Sequence, residues 1–205
     1  MFEQKGKTVK VFIKNPEKGK VKTRLAATLG DEEAVRVYKL LLSYTRGVVL
    51  KMEVQKEVWY SGFIDYEDEW DGNVFSKKLQ RGQDLGERMK EAFKKSFEEG
   101  SSKYVVLIGS DCAELTQEIL EEAFRKLKTN ELVLGPAEDG GYYLIGMSKF
   151  LPDIFDEIEW STRQVFSKTI SKAEQAGLNF ALLPELSDVD TVEDWEKAKE
   201  KLVDD

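Results

Sequence analysis

The 205 residues carry a formal net charge of −8, so binding along a phosphate backbone would run against repulsion from the whole molecule, and no nucleic-acid partner is expected. One cysteine and no histidine exclude a disulfide framework, Ser-His or Cys-His catalysis and a His-ligated metal; the metal chemistry left is oxygen-ligated, which suits Mg²⁺ or Mn²⁺. Apolar residues at 41% and charged residues at 34%, with no apolar run longer than a strand, predict one soluble, cytoplasmic domain over residues 1–205 with no membrane segment.

The chain opens with "KTVKVFIK" (7–14), which reads as a strand, and continues through a Pro/Gly loop, "NPEKGKVKTRLAATLG", into an amphipathic helix from about Asp31 to Met52. "VQKEVWYSG" predicts a second strand, "YEDEWDGN" an acidic loop and "VFSKKLQ" a short strand. In "DLGERMKEAFKKSFEEG" the residues Leu85, Met89, Ala92, Phe93 and Phe97 share one helical face, with Gly100 at the position of a C-terminal cap. "YVVLIGSD" is apolar throughout, the pattern of a central strand buried on both faces. A helix follows from Thr116 to about Lys128, then "ELVLGPA" and "GGYYLIGM" as a hairpin, in which Tyr142 and Tyr143 fall on opposite faces. "STRQVFSKTISKAEQAG" predicts a helix, "NFALLPE" a strand and "TVEDWEKAKEKL" a last helix with Thr191 and Asp194 at capping-box spacing. Strands alternating with helices imply an α/β sandwich on a mostly parallel sheet, mixed at the hairpin.

In such sheets ligands bind beyond the carboxyl ends of the strands. After the first strand come Lys14, Lys18, Lys20, Lys22 and Arg24, a basic stretch with Gly19 whose amides, with Lys22 and Arg24, could meet a di- or triphosphate; a solvated basic loop has the same composition. A P-loop is excluded, because its first glycine would fall at Lys14 and the residue after Gly19-Lys20 is Val21. Asp111 ends the central strand, where a carboxylate can hold Mg²⁺ or simply cap a loop, and Cys112 beside it reads as a packed residue. Asp188 and Asp190, two apart past the last strand, share a side if the chain stays extended, while Asp194 suits the helix cap.

The blocks "KNPEKGKVKTRL", "QDLGERM", "IGSDCAEL", "LGPAEDGGYYLIG", "WST" and "DVDTVEDW", in this order, resemble a family of small glycosyltransferase-like proteins in the nucleotide-diphospho-sugar transferase superfamily, similar to phospholactate guanylyltransferase and the molybdenum cofactor guanylyltransferases. The resemblance implies a single Rossmann-like GT-A domain, a three-layer α/β sandwich with a mixed, mostly parallel central sheet. It implies that Lys14, Gly19, Lys22, Arg24 and Gln83 bind the nucleotide, that Lys22, Arg24 and Asp111 carry catalysis, and that Asp111, Asp188 and Asp190 hold Mg²⁺ or Mn²⁺. The glycine-rich block, with Asp139, Gly140, Gly141 and Tyr142, would face the acceptor, its missing side chains letting backbone amides approach. Gly109-Ser110-Asp111 offers one carboxylate where glycosyltransferases of this fold commonly carry D-x-D, which fits nucleotidyl transfer better.

The expected activity is metal-dependent transfer from a nucleoside triphosphate to a small anionic acceptor with release of pyrophosphate. Glycosyl transfer from a nucleotide sugar and noncatalytic nucleotide binding are the alternatives. No motif encodes the base, the acceptor or the oligomeric state.

Overall fold

The computed structural model describes residues 6–100 and 102–203. Within these residues seven strands form one sheet: β1 (Lys7–Ile13), β2 (Gln55–Tyr60), β3 (Ser76–Leu79), β4 (Tyr104–Ile108), β5 (Leu132–Pro136), β6 (Tyr142–Met147) and β7 (Phe180–Leu182). Their order is β3-β2-β1-β4-β6-β5-β7, and every pairing is parallel except the two made by β6. The hairpin therefore reverses one strand inside the sheet. Its turn lies at the same edge as the carboxyl ends of β1, β4 and β7, which gathers the segments expected to carry chemistry.

Among the described residues, six helices cover the sheet: α1 (Thr23–Leu29), α2 (Asp31–Leu50), α3 (Leu85–Glu98), α4 (Gln117–Lys126), α5 (Val165–Gln175) and α6 (Val192–Val203), with a 3-10 turn at Pro152–Phe155. Side-chain alternation along the strands sorts the core into two layers. Val9, Val11, Val58, Val106 and Val133 meet Tyr38 and Leu42 of α2 and Leu120 and Phe124 of α4. Phe12, Trp59, Val105, Leu107 and Ile145 meet Met89 and Phe93 of α3 and Ala173 of α5. A third cluster packs Leu25 of α1 and Leu41 of α2 against Trp195 of α6 and Val189. The expected three-layer arrangement is present, with a mixed and mostly parallel sheet.

Three expectations about the elements change. The Pro/Gly loop contains α1, because Leu25 finds a buried place beneath α2 although seven residues show less than two turns of periodicity. Leu85 is 43% exposed, since it stands in the first turn of α3, beyond the reach of the core. The predicted helix beginning at Ser161 starts only at Val165; residues 161–164 form turns, with Ser161 at φ 63°. The hairpin carries a register shift at Gly135/Pro136 that places Tyr143 and Leu144 in the same cluster and leaves Tyr142 on the other face.

Candidate active site

Lys22 is the centre of the site. It precedes α1 in the left-handed region, φ 47° and ψ 47°, a conformation sparsely populated by non-glycine residues and often found where surrounding contacts hold a functional group. Its side chain is 4% exposed, with Nζ 2.6 Å from Asp111 Oδ1 and 3.1 Å from Asp190 Oδ1. Burial opposes the ammonium most strongly, but the two carboxylates together outweigh it and hold the lysine above its ordinary pKa. Arg24, the second residue of α1 and 75% exposed, stands 3.7 Å from Asp190 Oδ2.

The carboxylates are placed by backbone bonds. The Val189 amide donates to the Asp111 carbonyl at 2.9 Å, and the Ser187 amide to Glu114, tying the segment after β7 to the loop after β4. Val189 points into the third cluster, so Asp188 and Asp190 on either side of it face away from that cluster. Asp194 accepts from the Asp190 and Thr191 amides and from the Thr191 hydroxyl, while Thr191 Oγ1 accepts from the Asp194 amide. This is the capping box read from the spacing.

Burial, then the neighbouring charge of Asp111, pushes the Asp188 carboxyl up to about 7; Lys22 works against this, and Asp139 and Asp190 add to it. Asp139 of the hairpin turn thus belongs to the same electrostatic group as Asp111, Asp188 and Asp190. A cluster of oxygen donors repelling one another around a single resident ammonium suits a divalent cation. Among the described residues no three carboxylates are grouped closely enough to hold a metal by themselves.

Of the other expected nucleotide ligands, Lys14 is exposed directly after β1, and Gly19 has the positive φ of 74° that its loop requires. Lys18 and Lys20 are engaged at the surface with Glu32 and Glu17. Gln83 stands before α3 with its backbone N–H donating to Glu87 Oε2, and among the described residues no bond links it to the Lys22 group. Cys112 is buried, and burial pushes its thiol up to about 12, as a packed residue should be.

The glycine-rich block requires a correction. A Cβ on Gly135 would lie 2.4 Å from the Tyr143 ring, and one on Gly140 would lie 2.2 Å from the Arg163 carbonyl, so the protein's own atoms fill those spaces. The Gly140 amide donates to the Ala137 carbonyl and the Gly141 amide to Asp139 Oδ1; neither is free for an acceptor. Tyr142 also departs from expectation, because its ring packs edge-on against Trp160 and its hydroxyl is buried on the α5 side of the sheet. Asp139 alone of the four expected acceptor residues joins the charged group.

Two contributions escaped the sequence. Asn15 accepts from the Gly62 and Phe63 amides and donates to the Phe63 carbonyl, clamping the loop after β2 to the loop after β1. Trp160, from the block without a sequence-based role, fills the space beside Gly86 of α3.

A sheet of this order, with a basic loop after β1 and carboxylates after β4 and β7, defines the nucleotide-diphospho-sugar transferase fold. Within it, the chain belongs to the DUF2064 family, described as an uncharacterized protein conserved in bacteria, which matches residues 45–162. It is 36% identical to a candidate nucleotide-diphospho-sugar transferase from Desulfovibrio desulfuricans G20, over 92% of this chain and 84% of that one, with a TM-score of 0.84. The inositol-1-phosphate CTP transferase from T. maritima shares the fold at 15% identity and a TM-score of 0.64, covering 98% and 96% of the two chains. The 4-diphosphocytidyl-2C-methyl-D-erythritol synthase from Anaerococcus prevotii DSM 20548 does so at 12% identity and a TM-score of 0.60, covering 98% and 97%. No protein of curated function matches the chain. Among the described residues, no helix is long and apolar enough to cross a membrane.

Proposed function

We propose that this protein is a metal-dependent nucleotidyltransferase: an oxygen of a small anionic acceptor attacks the α-phosphorus of a nucleoside triphosphate, the bond from that phosphorus to the bridging oxygen breaks, and pyrophosphate leaves. The observation that carries the reading is Lys22, buried and charged between Asp111 and Asp190 where three strand-end segments converge. An ammonium held there, with exposed Arg24 two residues on, offsets the negative charge of a triphosphate and of its transition state without reorganising. Lys14 and Gly19 line the approach on the same loop.

A divalent cation, Mg²⁺ or Mn²⁺, fits Asp111 together with Asp188 or Asp190, and when bound supplies further neutralisation of phosphate charge. An acceptor that is already anionic needs no histidine base, consistent with a chain that has none. Asp139, at the hairpin turn, is the side chain offered to the acceptor. The two cytidylyl-handling neighbours make CTP a donor to test, beside GTP from the likeness to guanylyltransferases.

The description of the Desulfovibrio relative favours glycosyl transfer as a second reading. The products separate the two. Incubation of each triphosphate with pooled phosphorylated alcohols and hydroxy acids, with Mg²⁺, should release pyrophosphate. Release of a nucleoside diphosphate from UDP- or GDP-sugars instead would establish glycosyl transfer, and neither product would leave a nucleotide-binding protein without turnover.

A further inference from the structure

β1 and β4 pair in parallel up to Val11 and Ile108, where their ladder ends and the two chains part. The first continues into the basic loop and the second into Gly109-Ser110-Asp111. In the fork between them lies Tyr38 of α2, 3% exposed. Its hydroxyl oxygen accepts from the Lys14 amide at 2.8 Å and lies 3.1 Å from Oγ of Ser110, itself 3% exposed. The Tyr38 and Ser110 hydroxyls bond to each other, and either can be the donor. One neutral side chain therefore bridges the start of each site-bearing loop.

This bridge differs in kind from the ionic one. Lys22 also joins the two loops, through Asp111, but in the reading given above it is a phosphate ligand and changes partners when nucleotide arrives. The Tyr38 bonds are uncharged, the one to Ser110 buried and the one to the Lys14 amide partly so, and neither uses a charged group that an incoming phosphate would draw away. We propose that Tyr38 is a positioning residue that keeps Asp111 in register with the basic loop while Lys22 turns to the nucleotide. It acts on the distance between the phosphate-binding loop and the carboxylate that shares the metal with those phosphates, and through this on the cooperation between metal and nucleotide. The inference rests on the nucleotide site proposed above.

The test measures that cooperation. CTP and GTP are titrated by calorimetry into wild type, Tyr38→Phe and Ser110→Ala, each with and without Mn²⁺, and Mn²⁺ is titrated alone by its paramagnetic signal. Site coupling is a ratio of affinities and is read only on folded protein, so lower stability alone does not move it. In wild type one triphosphate should bind more tightly with Mn²⁺. In Tyr38→Phe the separate affinities should stay close to wild type while the enhancement falls about tenfold, the scale set by leaving buried polar groups unpaired. Ser110→Ala, which trims only a hydroxyl, should show the same loss and serves if Tyr38→Phe does not fold. An unchanged enhancement in a folded variant overturns the positioning role. Absence of any enhancement in wild type instead overturns the reading of the site itself, and this inference with it.

Discussion

Lys10 sits in the middle of β1, the strand that delivers the nucleotide loop, and is fully buried. Its Nζ is 2.5 Å from Oε2 of Glu57, its register partner on β2, and 4.6 Å from the centre of the Trp59 ring. Glu57 is shared, because Lys78 Nζ lies 2.9 Å from its other oxygen and the Trp59 indole donates to it at 2.8 Å. Burial dominates and lowers the Lys10 pKa from 10.5 to about 8, despite the opposing pull of Glu57. That fall corresponds to about 3 kcal/mol against the charged form in the fold.

The direction follows from proton counts. Below about pH 8 the lysine is charged in both states and the fold bears the whole penalty. Between about 8 and 10.5 the folded lysine is neutral while the unfolded one keeps its proton, so its contribution to stability rises with pH. A Lys10→Met variant cannot titrate there and keeps Glu57 paired with Lys78. Urea unfolding of both proteins near pH 7 and near pH 10 should therefore show wild type gaining about 3 kcal/mol relative to the variant. A difference that stays constant with pH, within the error of extrapolation, would refute the depressed lysine.

Gly86→Ala should destabilise by about 1–3 kcal/mol in urea unfolding, because the new methyl would lie 2.1 Å from the rigid Trp160 indole. Gly47→Ala in α2, with nothing within 4 Å of the new methyl, should instead stabilise by about 0.5–1 kcal/mol. A common sign for the pair would contradict the packing of Trp160 against α3. Asp194→Ala removes the acceptor that organises Asp190 and Thr191, and should cost about 1 kcal/mol while weakening Mn²⁺ binding; retention of both would detach the cap from the site.

The sheet was readable because burial leaves a mark in composition. β4 is covered on both faces, and the uninterrupted "YVVLI" says so. α1 was not readable, since its single buried leucine is justified only by α2 lying over it. Charge and position marked Lys22, Asp111, Asp188 and Asp190, all in segments that follow strands, and folding brings Lys22 against Asp111 and Asp190. Glycine composition announces a backbone demand without saying what makes it, and in the hairpin Tyr143 and the Arg163 backbone make it rather than a ligand. Tyr38 gave no signal, because in the sequence it is one more apolar-face residue of an amphipathic helix. Its hydroxyl acquires a role only where β1 and β4 diverge, which is a fact of the tertiary structure.

The most direct test of the nucleotide site is calorimetric titration of CTP and GTP, with and without Mg²⁺, into wild type and Asp111→Asn. The account predicts that one triphosphate binds wild type, that Mg²⁺ tightens it, and that the tightening is lost in Asp111→Asn while the basic loop still binds the nucleotide without metal. Failure of both triphosphates to bind wild type, or a Mg²⁺ enhancement that survives the loss of the Asp111 charge, would contradict it.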